Sequence, residues 1–311
     1  MSGPVSPGDS PPEGAAVVPA PPVLELTPSH ATVVGGVQVR RALPRRSRRT
    51  VGAWCFADHL GPTSATDVDP LDIGPHPHTG LATVTWLLSG RLLHTDSLGT
   101  EQLVEPGQLN LMTAGLGVSH AEEQVRGTGG PLHGLQLWVA QPDATRSGPP
   151  AFEHHTGLPE EELPGVVTTA LLGGGSPARA DTALVGLDLA LHGGPAALPL
   201  ERAHEHALVV LDGALAVDGQ RVEPGRLAYL GTGREELVVD ADGPARAVLL
   251  GGEPFEAPVL MWWNFVGRTR EELSAAYEAW EADDGVERFG RVPSDLPRVP
   301  APAPTWYRGH G

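Results

Sequence analysis

The feature that most constrains this chain is a turn that occurs twice. Val104-Glu105-Pro106-Gly107-Gln108-Leu109 recurs as Val222-Glu223-Pro224-Gly225-Arg226-Leu227. Upstream of each stands another matching pair, Trp86-Leu87-Leu88-Ser89-Gly90-Arg91-Leu92 and Val210-Leu211-Asp212-Gly213-Ala214-Leu215. Two matches in the same order point to two related halves. Elsewhere the apolar runs are short, as in Leu81 to Leu88, Gly134 to Val139, Ala207 to Leu211 and Ala245 to Leu250, and turn residues bound them. Runs of this kind read as strands. The expected fold class is all-β, two antiparallel β-barrels in tandem with a short C-terminal helix.

The expected organisation is a disordered Pro/Gly-rich tail over residues 1–25, a first β domain over 26–150 and a second over 165–260. A linker runs from about Thr145 to Pro164. A helix and tail occupy 261–311. Thr269 followed three residues later by Glu272 fits a capping box. Leu273, Tyr277 and Trp280 then form one apolar stripe, and the helix is expected to end near Gly285. Beyond Arg291 five prolines predict an extended tail, packed through Trp306 and Tyr307.

Charge excludes one class of partner. The net charge is -17, and all 21 basic residues are Arg. Direct, sequence-independent nucleic-acid binding needs a basic face, so it is not expected. Arg40, Arg41, Arg45, Arg46, Arg48 and Arg49 cluster, and read as a solvated hairpin or edge strand. Cys55 is the only cysteine, which rules out an intramolecular disulfide or a cysteine-rich zinc site. It lies in an apolar run and reads as a buried, inert thiol. No stretch approaches the ~18 apolar residues of a membrane span. The first residues lack the basic-then-apolar pattern of a secretory signal, so a cytoplasmic location is expected.

One stretch carries chemistry. Gly74-Pro75-His76-Pro77-His78 opens it and His120-Ala121-Glu122 closes it. Residues two apart on a strand point to the same face. If the pairs lie on neighbouring strands, His76, His78, His120 and Glu122 converge as metal ligands. Pro75 and Pro77 lack an N–H and hold their neighbours extended, so this is no ordinary central strand. Three imidazoles and a carboxylate suit one divalent transition metal with open positions. Fe(II) is the first expectation; Mn, Co, Ni, Cu and Zn stay open. In the second half the aligned positions are Pro199, Glu201 and Val238, so a single metal site, in the first half, is expected. His59 and His94 are candidate supporting partners or merely structural. Gln136 is a candidate pocket donor, and Glu123 is assigned to solvent.

At these residues the chain resembles a pirin, a two-domain member of the cupin superfamily. The resemblance runs through Asp58-His59-Leu60-Gly61-Pro62, Pro75 to Thr85, His94 to Gly99, Met112 to Gly115, His120-Ala121-Glu122 and His133 to Val139. It continues at Gly251-Gly252-Glu253-Pro254 and Asn264-Phe265-Val266. Leu116 departs from the pattern, where Arg is common, and so does Leu111, often aromatic. The resemblance implies two cupin domains, a bicupin, with a metal, usually iron, held in the N-terminal one by His76, His78, His120 and Glu122. It also implies quercetin 2,3-dioxygenase-type cleavage of a flavonol, a small aromatic substrate, by O₂. Glu122 would serve as catalytic base for the substrate hydroxyl. The alternative is a redox-gated regulatory adaptor that binds a transcription factor or metabolic enzyme as protein partner.

Overall fold

The structure is a computed structural model that describes residues 23–63, 71–125, 131–282 and 286–307. The expected disordered tail lies, up to residue 22, outside the described residues. The first strands are β1 (Glu25–Pro28), β2 (His30–Val34), β3 (Val37–Leu43), β4 (Trp54–Leu60), β5 (Asp72–His78) and β6 (Leu81–Ser89). Next come β7 (Leu92–Asp96), β8 (Glu101–Val104), β9 (Gln108–Thr113), β10 (Val118–Gln124), β11 (His133–Ala140) and β12 (Ala151–Thr156). The second half holds β13 (Glu160–Leu163), β14 (Val166–Gly173), β15 (Leu184–Leu191), β16 (Gly194–Pro199), β17 (Glu205–Asp212) and β18 (Leu215–Val217). It continues with β19 (Gln220–Val222), β20 (Arg226–Gly231), β21 (Glu236–Ala241), β22 (Ala245–Gly252), β23 (Leu260–Trp262) and β24 (Phe265–Gly267). Two helices follow, α1 (Arg270–Glu281) and α2 (Val286–Phe289).

Each half consists of a seven-stranded and a four-stranded sheet. The orders are β12-β9-β6-β11-β4-β3-β2 with β5-β10-β7-β8, and β1-β20-β17-β22-β15-β14-β13 with β16-β21-β18-β19. The halves match strand for strand, and the repeated Pro-Gly turn lies before β9 in one and β20 in the other. Both turn glycines, Gly107 and Gly225, have positive φ, which explains why glycine recurs there. The sheets pair face to face as in cupins and do not close into the expected barrels. The stretch read as a linker supplies β12 and β13. One edge strand of each large sheet comes from outside its own half: β1 pairs with β20, and β12 with β9.

The large sheets pack against each other through a common core. Trp54, Trp86, Leu109 and Leu137 from one meet Leu172, Val209, Tyr229 and Leu250 from the other. Both tryptophans reach across. Trp54 Nε1 donates to the carbonyls of Val185 and Gly251, each 3.1 Å away. Trp86 Nε1 donates to Asp188 Oδ2 at 3.0 Å. Between the two sheets of the second half, Leu189, Leu198, Val210, Leu215, Leu237 and Leu249 fill the space.

The helix begins as expected: Thr269 Oγ1 accepts from Glu272 N at 3.2 Å. Glu272 Oε2 in turn accepts from Arg268 N at 2.7 Å, one residue before the cap. Leu273, Ala276 and Trp280 are buried. The helix ends at Glu281, and Gly285 lies outside the described residues. The tail then runs back along β5. Val299 N donates to the Pro75 carbonyl at 2.9 Å, and Trp280 Nε1 to the Val299 carbonyl at 3.0 Å. Trp306 packs edge-on against Trp262, and Tyr307 against Tyr277. Among the described residues no helix is long and apolar enough to cross a membrane.

Candidate metal centre

β5 is an edge strand, with β10 on one side only. Its two prolines cannot donate, and an edge is where a sheet tolerates them. The register places His76 directly opposite His120 and His78 opposite Val118. On the other side of β10, His120 faces Asp96 and Glu122 faces His94. The β5–β10 ladder shifts register between His120 and Glu122.

Donor atoms of His76, His78 and His120 all lie within 4.8 Å of one another. Glu122 belongs to an overlapping set with His94 and His120, so His120 is the common member. All five side chains are buried. The structure thus brings the four residues singled out in the sequence into one place and adds His94. The donor set fits a transition metal. His78 Nε2 lies 3.1 Å from His120 Nε2. Adjacent ligands of an octahedral ion with bonds of ~2.1 Å stand about 3.0 Å apart. The His76 Nδ1–H donates to the Gly74 carbonyl at 2.9 Å and the His78 Nδ1–H to the Asn264 carbonyl at 3.2 Å. Each ring then offers an unprotonated Nε2.

Burial keeps these rings neutral. It lowers His76 to about 4, with a smaller contribution from His94. Burial first, and the neighbouring imidazoles next, hold His78 and His120 well below the usual range. Burial raises the Glu122 carboxyl, although His94 and the Thr85 hydroxyl pull the other way. Thr85 Oγ1 lies 3.3 Å from Glu122 Oε1 and 3.0 Å from Gln136 Oε1.

The site is the floor of a cavity of about 670 Å³. Phe56 and Trp138, stacked at 4.0 Å, form one wall, and Trp263 and Leu296 also line it. The Arg41 guanidinium sits over Phe56 and holds the Asp58 carboxylate with two bonds of 2.8 Å. Trp263 occupies the first position of the two-residue β23–β24 hairpin with φ 51, where glycine is usual. That turn presents the Asn264 carbonyl to His78.

Other expectations resolve individually. Gln136 lines the cavity, and Cys55 is buried with its thiol pushed up to about 12 by burial. His59 instead pairs with His133, Nε2 to Nε2 at 2.9 Å, away from the metal centre. Glu123 is half-buried and accepts from Ser294 Oγ at 3.0 Å, so it ties down the tail instead of facing solvent. Arg41 lies on an inner strand, and Arg48 covers the Tyr229 ring and pairs with Glu25. Sequence reasoning missed the Arg41–Asp58 pair, for which a charged residue inside the apolar run Trp54–Leu60 was the signal. It also missed Trp263 and the part the tail takes in lining the cavity through Leu296, for which nothing local gave a signal.

Comparison with known proteins agrees with this architecture. The Pirin family model matches residues 36–139, and the Pirin C-terminal cupin domain matches residues 186–286. A Pseudomonas aeruginosa protein provisionally named quercetin 2,3-dioxygenase is 45% identical over 287 residues, covering 90% of each chain. A pirin-like protein of Caulobacter vibrioides is 35% identical, covering 80% of this chain and 90% of its own. The crystal structure of quercetin 2,3-dioxygenase from Acinetobacter baumannii superposes with a TM-score of 0.87 at 42% identity, covering 92% of this chain and 97% of that one. With both domains matched and nine-tenths of its length aligned at this identity, the chain belongs to the pirin family.

Proposed function

We propose that this protein is a metal-dependent dioxygenase of the quercetin 2,3-dioxygenase type, with His76, His78, His120 and Glu122 as the ligands of one divalent metal. The observation that carries the reading is the convergence of three buried imidazoles and a buried carboxylate on the floor of an aromatic-walled cavity. The names of the Pseudomonas and Acinetobacter relatives support the same reaction. Fe(II) heads the candidate ions. When bound, the ion supplies Lewis acidity toward chelating oxygens and a place for O₂.

The chain's own residues do the rest. Phe56, Trp138 and Trp263 give flat apolar surface for a planar substrate, and the cavity volume suits a ligand of flavonol size. The Arg41–Asp58 pair is neutral as a unit, so the far wall favours uncharged phenols over carboxylates. Glu122 would take the proton that a chelating hydroxyl sheds, and a carboxyl raised by burial suits a base. Thr85 steadies the carboxylate. Burial of the site keeps water from the reacting carbons.

The test is anaerobic loading with Fe, Mn, Co, Ni or Cu in turn, then addition of quercetin and O₂. Flavonol loss with matching oxygen uptake and carbon monoxide release is expected for at least one metal. No flavonol loss with any of them would sink the proposal.

A further inference from the structure

His94 is buried, 3% exposed, and touches the ligand set without a part in the reaction above. Its ring stacks on Phe152 with centroids 4.6 Å apart. Its Nε2 lies 3.2 Å from Asp96 Oδ2, and its Nδ1 lies 3.3 Å from His120 Nδ1. Asp96 is fully buried, and its Oδ1 accepts from the N–H groups of Leu98 and Thr100, both at 2.9 Å.

One assignment of protons across these contacts leaves His120 Nε2 free for a metal. A carboxylate that accepts two backbone N–H bonds is favoured in its charged form and has no proton to give. The proton between Asp96 and His94 therefore sits on His94 Nε2. When the His94 ring carries that single N–H, its Nδ1 is a lone pair. The proton in the next contact then belongs to His120 Nδ1. His120 Nε2 is then bare and faces His78 Nε2 at 3.1 Å. His76 and His78 reach the same state through backbone carbonyls. His120 has His94 in that place.

We propose that Asp96 and His94 are a positioning pair that sets the tautomer of His120 and readies it to bind metal. The proposal rests on the reading of this site as a metal centre and assigns neither residue a bond to the ion. Partners of this kind orient ligand rings, and their loss weakens metal binding by about 10–100-fold.

The experiment uses the full chain and Co(II), with affinity from competition against a chelator. Wild type is expected to bind one ion and to show three exchangeable ring N–H resonances shifted by the paramagnetic ion. His94→Leu removes the acceptor, so affinity should fall by about 10–100-fold and the His120 resonance should be lost to exchange. His94→Asn puts an amide oxygen near the Nδ1 position and should stay close to wild type. Asp96→Asn can donate to His94, which reverses the chain and protonates His120 Nε2. It should bind as weakly as His94→Leu, although it touches no ligand. Wild-type affinity with three ring N–H signals in His94→Leu or Asp96→Asn would overturn the proposal. Equal losses in His94→Leu and His94→Asn would assign the effect to packing and overturn it too. If His94→Leu does not fold, the contrast between His94→Asn and Asp96→Asn decides. A wild-type protein that binds no Co(II), Fe(II), Zn(II) or Ni(II) would instead overturn the metal-centre reading.

Discussion

Neutrality of the three clustered imidazoles comes from their surroundings. Burial removes the water that would solvate an imidazolium, and the rings beside each one penalise a second charge. Glu122 sits in the same dry space and answers the opposite way, with a carboxyl that protonates more readily. Glu122→Gln keeps the shape and removes the charge. It should weaken metal binding and, in the metal-loaded protein, lower flavonol turnover by roughly 10²–10⁴-fold, as loss of a base does. Elemental analysis and an oxygen electrode separate the two effects. Away from the metal centre, burial, then the charges of His133 and Arg40, depress His59 to about 3 from its ordinary 6.5. Between those values the unfolded chain takes up a proton that the folded chain refuses. The His59 contribution to stability is therefore lost as pH falls below 6.5 and is constant above it. Relative to His59→Gln, wild type should lose roughly 2 kcal/mol more between pH 6.5 and 5. Urea melts at the two pH values measure this, and equal losses in both proteins would contradict it.

At the scale of elements, β5 is held from both sides by unlike means. β10 pairs with one edge, and the tail covers the other through Val299 and Pro297. The Gly74 backbone lies so close to the tail that a Cβ would sit 2.0 Å from the Pro297 carbonyl oxygen. Gly74→Ala should therefore lift the tail from β5 and cost about 1–3 kcal/mol. It should also weaken metal binding, because the Gly74 carbonyl orients His76. Gly243→Ala is the control: a Cβ there meets nothing within 4 Å, and its φ is ordinary. Denaturant midpoints of the two variants should differ clearly. The helix beneath the tail depends on its first turn, and Thr269→Ala should cost about 1 kcal/mol in the same assay.

The whole molecule is two domains with one shared core. Trp54 fills space between the large sheets, and Gly186 makes room for it: a Cβ there would sit 2.8 Å from its ring. Trp54→Ala should cost about 3–5 kcal/mol, and calorimetry should still show one transition, since neither large sheet keeps its buried face without the other. Two resolved transitions in the wild type would contradict the shared core. The exchange of edge strands works to the same end, because β1 ties the start of the chain to the second half and β12 returns to the first. The second half has the same strand order as the first but different contents. Leu198, Leu237 and their neighbours occupy the space that the histidines and the cavity take in the first.

Some of this was legible in the residues themselves. The two-residue spacing of His76 with His78, and of His120 with Glu122, is a property of any extended strand. The repeated Pro-Gly turn and the Thr269 cap are equally local, so they could be read before any contact was known. What lies opposite what is decided by strand pairing across long stretches of chain, and no local pattern encodes that. Only tertiary structure set His120 across from His76 on one side and Asp96 on the other. It also brought Asn264, 186 positions away, to the His78 ring, and laid the tail over β5. Spacing determined which side chains could share a face. Packing determined which faces met, and with that the neutrality of His76, His78 and His120.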